Sequence, residues 1–158
     1  MRKPVTSIAI ATAALMMIAL PLLGQTASLA GTWKLNVAKS KYSPGPAPRS
    51  STLKWERVAG GFKFTVDQVN AQGQATHTEN TEKDDGSEAQ VQGAQSPTTR
   101  FLRRIDDRTY EDGDKVNGKP TVSRRLVIAQ DGKTLTVTMK GTNAQGQAVN
   151  NVAVYEKQ

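Results

Sequence analysis

Turn chemistry cuts the chain at short, regular intervals, and nothing constrains its fold more. Gly60-Gly61, Asp85-Gly86, Asn117-Gly118 and Asp131-Gly132 are hairpin dipeptides, because glycine accepts the positive φ that tight turns demand. The hexapeptide NAQGQA marks two more corners, at 70–75 and 143–148. Each copy follows a run in which apolar and polar residues alternate. Phe62, Phe64 and Val66 alternate with Lys63 and Thr65, while Leu135, Val137 and Met139 alternate with threonines. A period of two marks a strand with one buried face. Asparagine at the head of the hexapeptide and glycine in fourth place suit a tight turn. The repeat therefore predicts two hairpin corners of like geometry, and it need not be a binding motif.

Between the corners lie runs of strand length, about ten in all. They fall at 31–36, 51–59, 62–69, 75–83, 87–92, 99–105, 108–112, 120–129, 133–140 and 148–157. No stretch beyond residue 30 shows helical periodicity. Short strands joined by tight turns predict an all-β, antiparallel up-and-down meander. Such a meander escapes its unpaired edges most simply by closing into a barrel. A β-sandwich is the alternative, but it calls for long crossing connections, and the long one here is 36–50.

The N-terminus reads as an address. Met1-Arg2-Lys3 is basic, IAIATAALMMIALPLL (8–23) is apolar, and small residues follow in QTASLA (25–30). This is the pattern of a signal peptide cleaved within 26–30, with Ser28 and Ala30 suited to the −3 and −1 places. The alternative is a retained anchor, but the run is short for a span and Pro21 interrupts it. There is no cysteine, which excludes a lipoprotein signal and disulfides. The expectation is an exported protein, periplasmic or extracellular, with no stable membrane insertion after cleavage. Residues 31–158 would form one domain held by its hydrophobic core. Arg2 and Lys3 account for part of the formal +7 charge, leaving about +5, which favours solubility and loose attraction to anions. Export removes the protein from nucleic acid, which is therefore not an expected partner.

Both ends of that domain carry a resemblance. GTWKL (31–35) and VYEK (154–157) resemble the ends of the fatty-acid-binding proteins, members of the calycin superfamily. Their relatives the lipocalins also begin with Gly-x-Trp. GTWKLNVAKSKY is similar to the start of a family of small exported bacterial lipocalin-like proteins of unassigned function. The resemblance implies a ten-stranded barrel with Trp33 as the plug at one end. Lys157, or an arginine of the Arg124-Arg125 pair, would pack against that plug. It also implies departures. Fatty-acid-binding proteins place two short helices between their first strands, whereas Pro44, Pro46 and Pro48 exclude a helix from Ser43 onward and leave at most one turn around 38–41. The Arg-x-Tyr that binds a carboxylate in that family is matched by Ala153-Val154-Tyr155, which keeps the tyrosine and lacks the arginine. The resemblance points Tyr155 inward. Val152 and Val154 form the more apolar face of the run and would turn Tyr155 outward, and the residues leave both directions open.

Strand parity proposes an interior of Leu53, Trp55, Phe62, Phe64, Val66, Leu126, Ile128, Leu135, Val137 and Met139. Three Phe, two Trp and three Tyr are few for filling a barrel of this size, so a partly open cavity is expected. Trp55, Phe62, Phe64 and Met139 would be its walls. Arg124 shares parity with Val122, Leu126 and Ile128. Inside a barrel its guanidinium needs an anion, either a ligand carboxylate or an internal Asp or Glu. At the barrel mouth it would reach solvent instead. In RFLRRIDDR (100–108), Phe101 and Ile105 give a strand period that makes Arg103 a second inward candidate. The aspartates of that run offset its charge, and solvated charges on a strand explain it better than nucleic-acid binding.

Catalytic signals are sparse. One histidine and no cysteine leave no ligand set for zinc, and no cofactor motif is present. No G-x-S-x-G frame surrounds a serine. His77 and Glu79 share one face of a strand, which is the spacing of an acid–base pair and equally that of a solvated hairpin. The leading expectation is an exported, monomeric, non-catalytic barrel that holds a small apolar or amphiphilic, acidic molecule. Trp55, Phe62, Phe64, Arg103, Arg124, Met139 and Tyr155 would contact it. A second reading is a filled barrel that binds another protein, as an inhibitor or accessory factor, through the Pro-rich loop 42–48. A third is an enzyme using His77 and Glu79. Cavity volume separates the first two.

Overall fold

The computed structural model describes residues 28–158 except 93, 95 and 144. Nearly all of the expected leader, residues 1–27, lies outside them. Ten strands follow: β1 (Gly31–Leu35), β2 (Ser50–Val58), β3 (Gly61–Val69), β4 (Ala75–Lys83), β5 (Asp85–Gln90), β6 (Thr98–Arg104), β7 (Thr109–Val116), β8 (Lys119–Ile128), β9 (Thr134–Thr142) and β10 (Ala148–Lys157). They form a single antiparallel sheet in the order β4-β3-β2-β1-β10-β9-β8-β7-β6-β5. Pairing of β1 with β10 rolls the meander into a nearly closed barrel, not a sandwich. No helix among the described residues is long and apolar enough to cross a membrane.

The barrel stays open along one seam, where β4 and β5 are the two edges. Asp85-Gly86, expected as a hairpin corner, therefore joins strands that do not pair. Gly86 has φ 89° and sits where the register of β5 with β6 shifts between Asp85 and Glu88, a bulge. Arg100 lies 3.7 Å from Glu82 across the seam, and Arg57 of β2 meets Asp84 of the connecting turn at 2.7 Å. The Arg104 amide donates to the Asp84 carbonyl at 3.0 Å.

The two NAQGQA copies are the same corner. In the first, the Gln74 amide donates to Asn70 Oδ1 at 2.9 Å, and Asn70 Nδ2 donates to Gln74 Oε1 at 2.9 Å. In the second, Asn143 and Gln147 repeat both bonds at 2.9 Å. Gly73 and Gly146 take φ of 89° and 76°, values open to glycine and strained for other residues. The Asn–Gln pair thus stitches the strand ends while the glycine reverses the chain.

Both corners lie at the end where β1 gives way to β2. The connection between those strands, 36–49, forms a strap. Asn36 caps a single 3-10 turn, Val37–Lys39, and Lys41 then bridges to Val152. The three prolines follow and no helical lid forms. The Arg49 amide bonds the Val69 carbonyl at 2.9 Å, which ties the strap to the first corner.

The opposite end is packed solid. Leu29, Trp33, Phe62, Leu102, Leu126, Ile128 and Leu135 are buried there or beside it, and each contributes on the order of 1.5–3 kcal/mol by burial. β7 runs further than the sequence suggests, to Val116 instead of 112. Gly113 and Asp114, beyond the expected end, stay in the strand. Phe101, opposite Gly113 in the register, occupies the space a side chain there would need: a Cβ on Gly113 would come within 2.8 Å of its ring.

Candidate ligand cavity

A partly open cavity of about 260 Å³ lies in the barrel towards the strap end, just below the roughly 300–1,000 Å³ of small-molecule sites. Its apolar wall is built by alternation. Leu53 and Trp55 come from β2, Phe64 and Val66 from β3, Leu126 from β8, and Val137 and Met139 from β9. The Trp55 and Phe64 rings lie 4.1 Å apart, tilted by 30°. Ser51, Gln68, Thr76, Thr78 and Tyr155 add polar atoms. The interior is not filled, so a solid barrel does not describe this molecule.

Charge enters the same space from three strands. Arg124 donates from Nη1 to Asp112 Oδ1 and from Nη2 to Asp114 Oδ2, both at 2.6 Å. Arg100 donates from Nε to Asp114 Oδ1 at 2.6 Å, and its Nη1 lies 3.7 Å from Glu82 Oε1. The partners of Arg124 are thus internal carboxylates, and its side chain is 15% exposed. Burial works against an ionised Asp114, but hydrogen bonds from Arg100 and the charge of Arg124 prevail and hold it below the usual range. Burial likewise opposes the Arg124 cation, and Asp112 and Asp114 outweigh it, so its pKa is raised. Glu82 differs. Burial pushes it up, Arg100 only partly compensates, and Asp112 adds repulsion. Its Oε2 has no hydrogen-bond partner among the described residues, nor has the Trp55 indole N–H.

Tyr155 points inward. It is buried, and its hydroxyl donates to Ser51 Oγ at 3.5 Å. Burial pushes its pKa up, eased by that bond and by Arg124. Val152 and Val154 face the other way, half-buried, where the strap pairs with β10: the Val154 amide donates to Ser40 Oγ and its carbonyl accepts from the Asn36 amide. Hydrophobicity misleads here because the strap shelters an outer face. Tyr42 of the strap packs on the core, and burial, then Tyr155, raises its pKa.

Other expected site residues lie elsewhere. Phe62 belongs to the packed end, not to the cavity wall. It is fully buried, edge-on to Trp55 at 5.8 Å and to Tyr110 at 6.0 Å, with the Arg57 guanidinium 4.0 Å above it. Arg103 faces outward and pairs with Glu111 at 2.7 Å, because Arg100 and Leu102 hold the inner face of β6. Arg125 also faces outward, paired with Glu111 at 3.0 Å. Trp33 donates from Nε1 to the Leu29 carbonyl at 2.9 Å, and Lys157 Nζ lies 4.9 Å over its ring. His77 and Glu79 do share a face, but it is the outer one. His77 Nδ1 is 2.6 Å from Asp67, Glu79 is 2.9 Å from Lys63, and both stand in solvent. Thr76, Thr78, Asn80 and Glu82 take the inner face of β4. His77 and Glu79 therefore form no acid–base site in a cleft.

A second recess, of about 340 Å³, lies between the strap and the first NAQGQA corner. Tyr42, Pro44, Pro46 and Pro48 form one side, and Asn70, Ala71 and Gln72 the other. Gln68 and Met139 line both this recess and the cavity. The two spaces therefore adjoin at those side chains.

No protein-family model matches the chain, and no curated protein matches it in sequence. Among solved structures, the zebrafish ileal bile-acid-binding protein complexed with cholic acid aligns with 82% of this chain and 98% of its own, at 15% identity and TM-score 0.49. As-p18, described as an extracellular fatty acid binding protein, aligns with 82% of this chain and 95% of its own, at 14% identity and TM-score 0.56. The chain shares the barrel fold of As-p18. Two features distinguish this barrel from the expectation the resemblance carried. A proline strap stands where helices were implied, and the arginines inside it are already paired.

Proposed function

We propose that this barrel is an exported, monomeric carrier or scavenger that holds a small, largely apolar molecule inside and catalyses no reaction. The observation that carries the reading is the cavity walled by Leu53, Trp55, Phe64, Val66, Val137 and Met139. A ligand there would be bound by removal of apolar surface from water, about 25 cal/mol per Å² before the costs of association. Trp33 and Lys157 would close one end. The recess between the strap and the first NAQGQA corner would admit the ligand past Gln68 and Met139. The likeness in fold to an extracellular fatty acid binding protein supports both the binding and the location. Native mass spectrometry of the mature protein, purified gently from its own host, tests this. The expected result is a reproducible added mass of a few hundred daltons that is lost on denaturation. A bare mass from both the native host and a lipid-supplemented preparation would count against the reading.

A further inference from the structure

Arg100, Arg124 and Asp112 line the polar end of the cavity, where Arg124 pairs with Asp112 and Asp114, and Arg100 with Asp114 and, at 3.7 Å, Glu82. Arg124 uses one terminal nitrogen for Asp112 and the other for Asp114. Arg100 holds Asp114 through Nε and Nη2. The forked faces that would clamp a ligand carboxylate are therefore taken by the protein itself. Asp112 and Asp114 match the two guanidiniums one for one. Glu82, with its side chain 1% exposed, has its pKa raised by burial.

An anionic ligand would be repelled by Asp112, which lines the cavity, and would find no guanidinium there without a carboxylate partner, in a space where water screens poorly. An uncharged hydroxyl or carbonyl meets no such repulsion. Each guanidinium carries five N–H donors, more than its aspartate bonds consume. The Tyr155 and Ser51 hydroxyls stand on the same cavity wall. We infer that the ligand is a neutral amphiphile, with an alcohol, ketone or ester at its polar end, and that the arginines inside this barrel serve to balance the aspartates and not to capture an acid. The inference rests on the binding reading proposed above.

Isothermal titration of the mature protein at pH 7.5 with decan-1-ol, methyl decanoate and decanoate tests it. The neutral compounds should bind at least about ten-fold more tightly than decanoate. Decanoate binding as tightly or more tightly overturns the inference about charge and leaves the binding reading in place. Binding by none of the three overturns the binding reading itself. Asp112→Asn keeps the shape of the side chain and removes one negative charge, so the ratio of decanoate to decan-1-ol affinity should rise about ten-fold. An unchanged ratio in the folded variant overturns the assignment of that preference to the cluster. If the variant does not fold, the wild-type comparison alone decides.

Discussion

Arg124 and Asp112 face each other across β8 and β7 and meet at 2.6 Å inside the barrel. A guanidinium in such a place is held by its carboxylates, and they by it. Removing one side leaves the other charged and without its partner. Arg124→Met should therefore cost about 3–5 kcal/mol. Arg124→Met combined with Asp112→Asn should recover most of that loss, because Asp114 keeps Arg100 as its partner and Asp112 no longer carries a charge. Urea unfolding of the wild type and the two variants measures both effects. A loss below about 1 kcal/mol for the single variant would mean the pair is effectively solvated.

Asp114 and Glu82 give stability opposite pH dependences. Asp114 is lowered from its ordinary value of 3.8. Its contribution is present above that value and is lost as pH falls through the folded one. Glu82 is raised from its ordinary 4.5. The folded state keeps the proton after the unfolded chain has released it, so stability falls as pH rises from 4.5 towards the folded value. Glu82→Gln removes only the second effect. The variant should exceed the wild type in stability at pH 7, and the difference should vanish below about pH 4 while the acid limb from Asp114 persists. A gap that is constant across pH would show that titration of Glu82 is not its source.

The fold was legible because turn chemistry and alternation agree along the chain. The side chains of Trp55, Phe64, Leu126 and Val137 follow from period two alone, and each now lines the cavity. Arg124 was legible in direction, by parity with Leu126 and Ile128, but not in partnership. Its carboxylates are Asp112, the last residue of the strand expected at 108–112, and Asp114, beyond that end. The segment is paired with β6 and β8 on its two sides, and the bare Cα of Gly113 leaves room for the Phe101 ring opposite it. That contact joins residues on separate strands, which no local pattern reports. The same Phe101 explains the choice of Arg103 over Arg100. An aromatic on the outer wall mimics a core residue, and a one-residue error in parity reverses every side chain of β6. Glu82 was hidden among threonines and asparagines in an edge strand whose inner face is polar. Tyr155 was undecidable because the strap, remote in sequence, shelters the valines beside it.

The repeated corners should respond alike to substitution. A Cβ at Gly146 would meet nothing within 4 Å, so Gly146→Ala should cost only backbone strain, about 1–2 kcal/mol at its positive φ. Gly73→Ala should cost about the same, since the nearest atom, 3.1 Å away, ends the flexible Arg49 side chain. Asn70→Ala and Asn143→Ala should each cost about 1 kcal/mol through the lost stitch to Gln74 or Gln147. Thermal unfolding of the four variants measures this. A corner whose asparagine proves neutral would owe its geometry to glycine alone.

Met139 lines both the cavity and the recess beneath the strap, whereas Phe62 packs at the far end and touches neither. The two should therefore separate binding from stability. Met139→Trp places a bulky ring where the spaces adjoin. It should weaken binding of decan-1-ol at least ten-fold while costing about 1–3 kcal/mol of stability, the usual range for overpacking. Phe62→Leu removes part of a buried aromatic cluster and should lower stability by about 1–2 kcal/mol through lost ring contacts. Its affinity for decan-1-ol should stay within about two-fold, because Trp55 and Phe64 keep the wall. Titration calorimetry on both folded variants, with urea unfolding alongside, reads the two quantities independently. If Phe62→Leu weakens binding as much as Met139→Trp does, the ligand reaches deeper than the cavity between Tyr155 and Trp55. If Met139→Trp leaves affinity unchanged, access does not run beneath the strap, and the open seam between β4 and β5 becomes the route to probe.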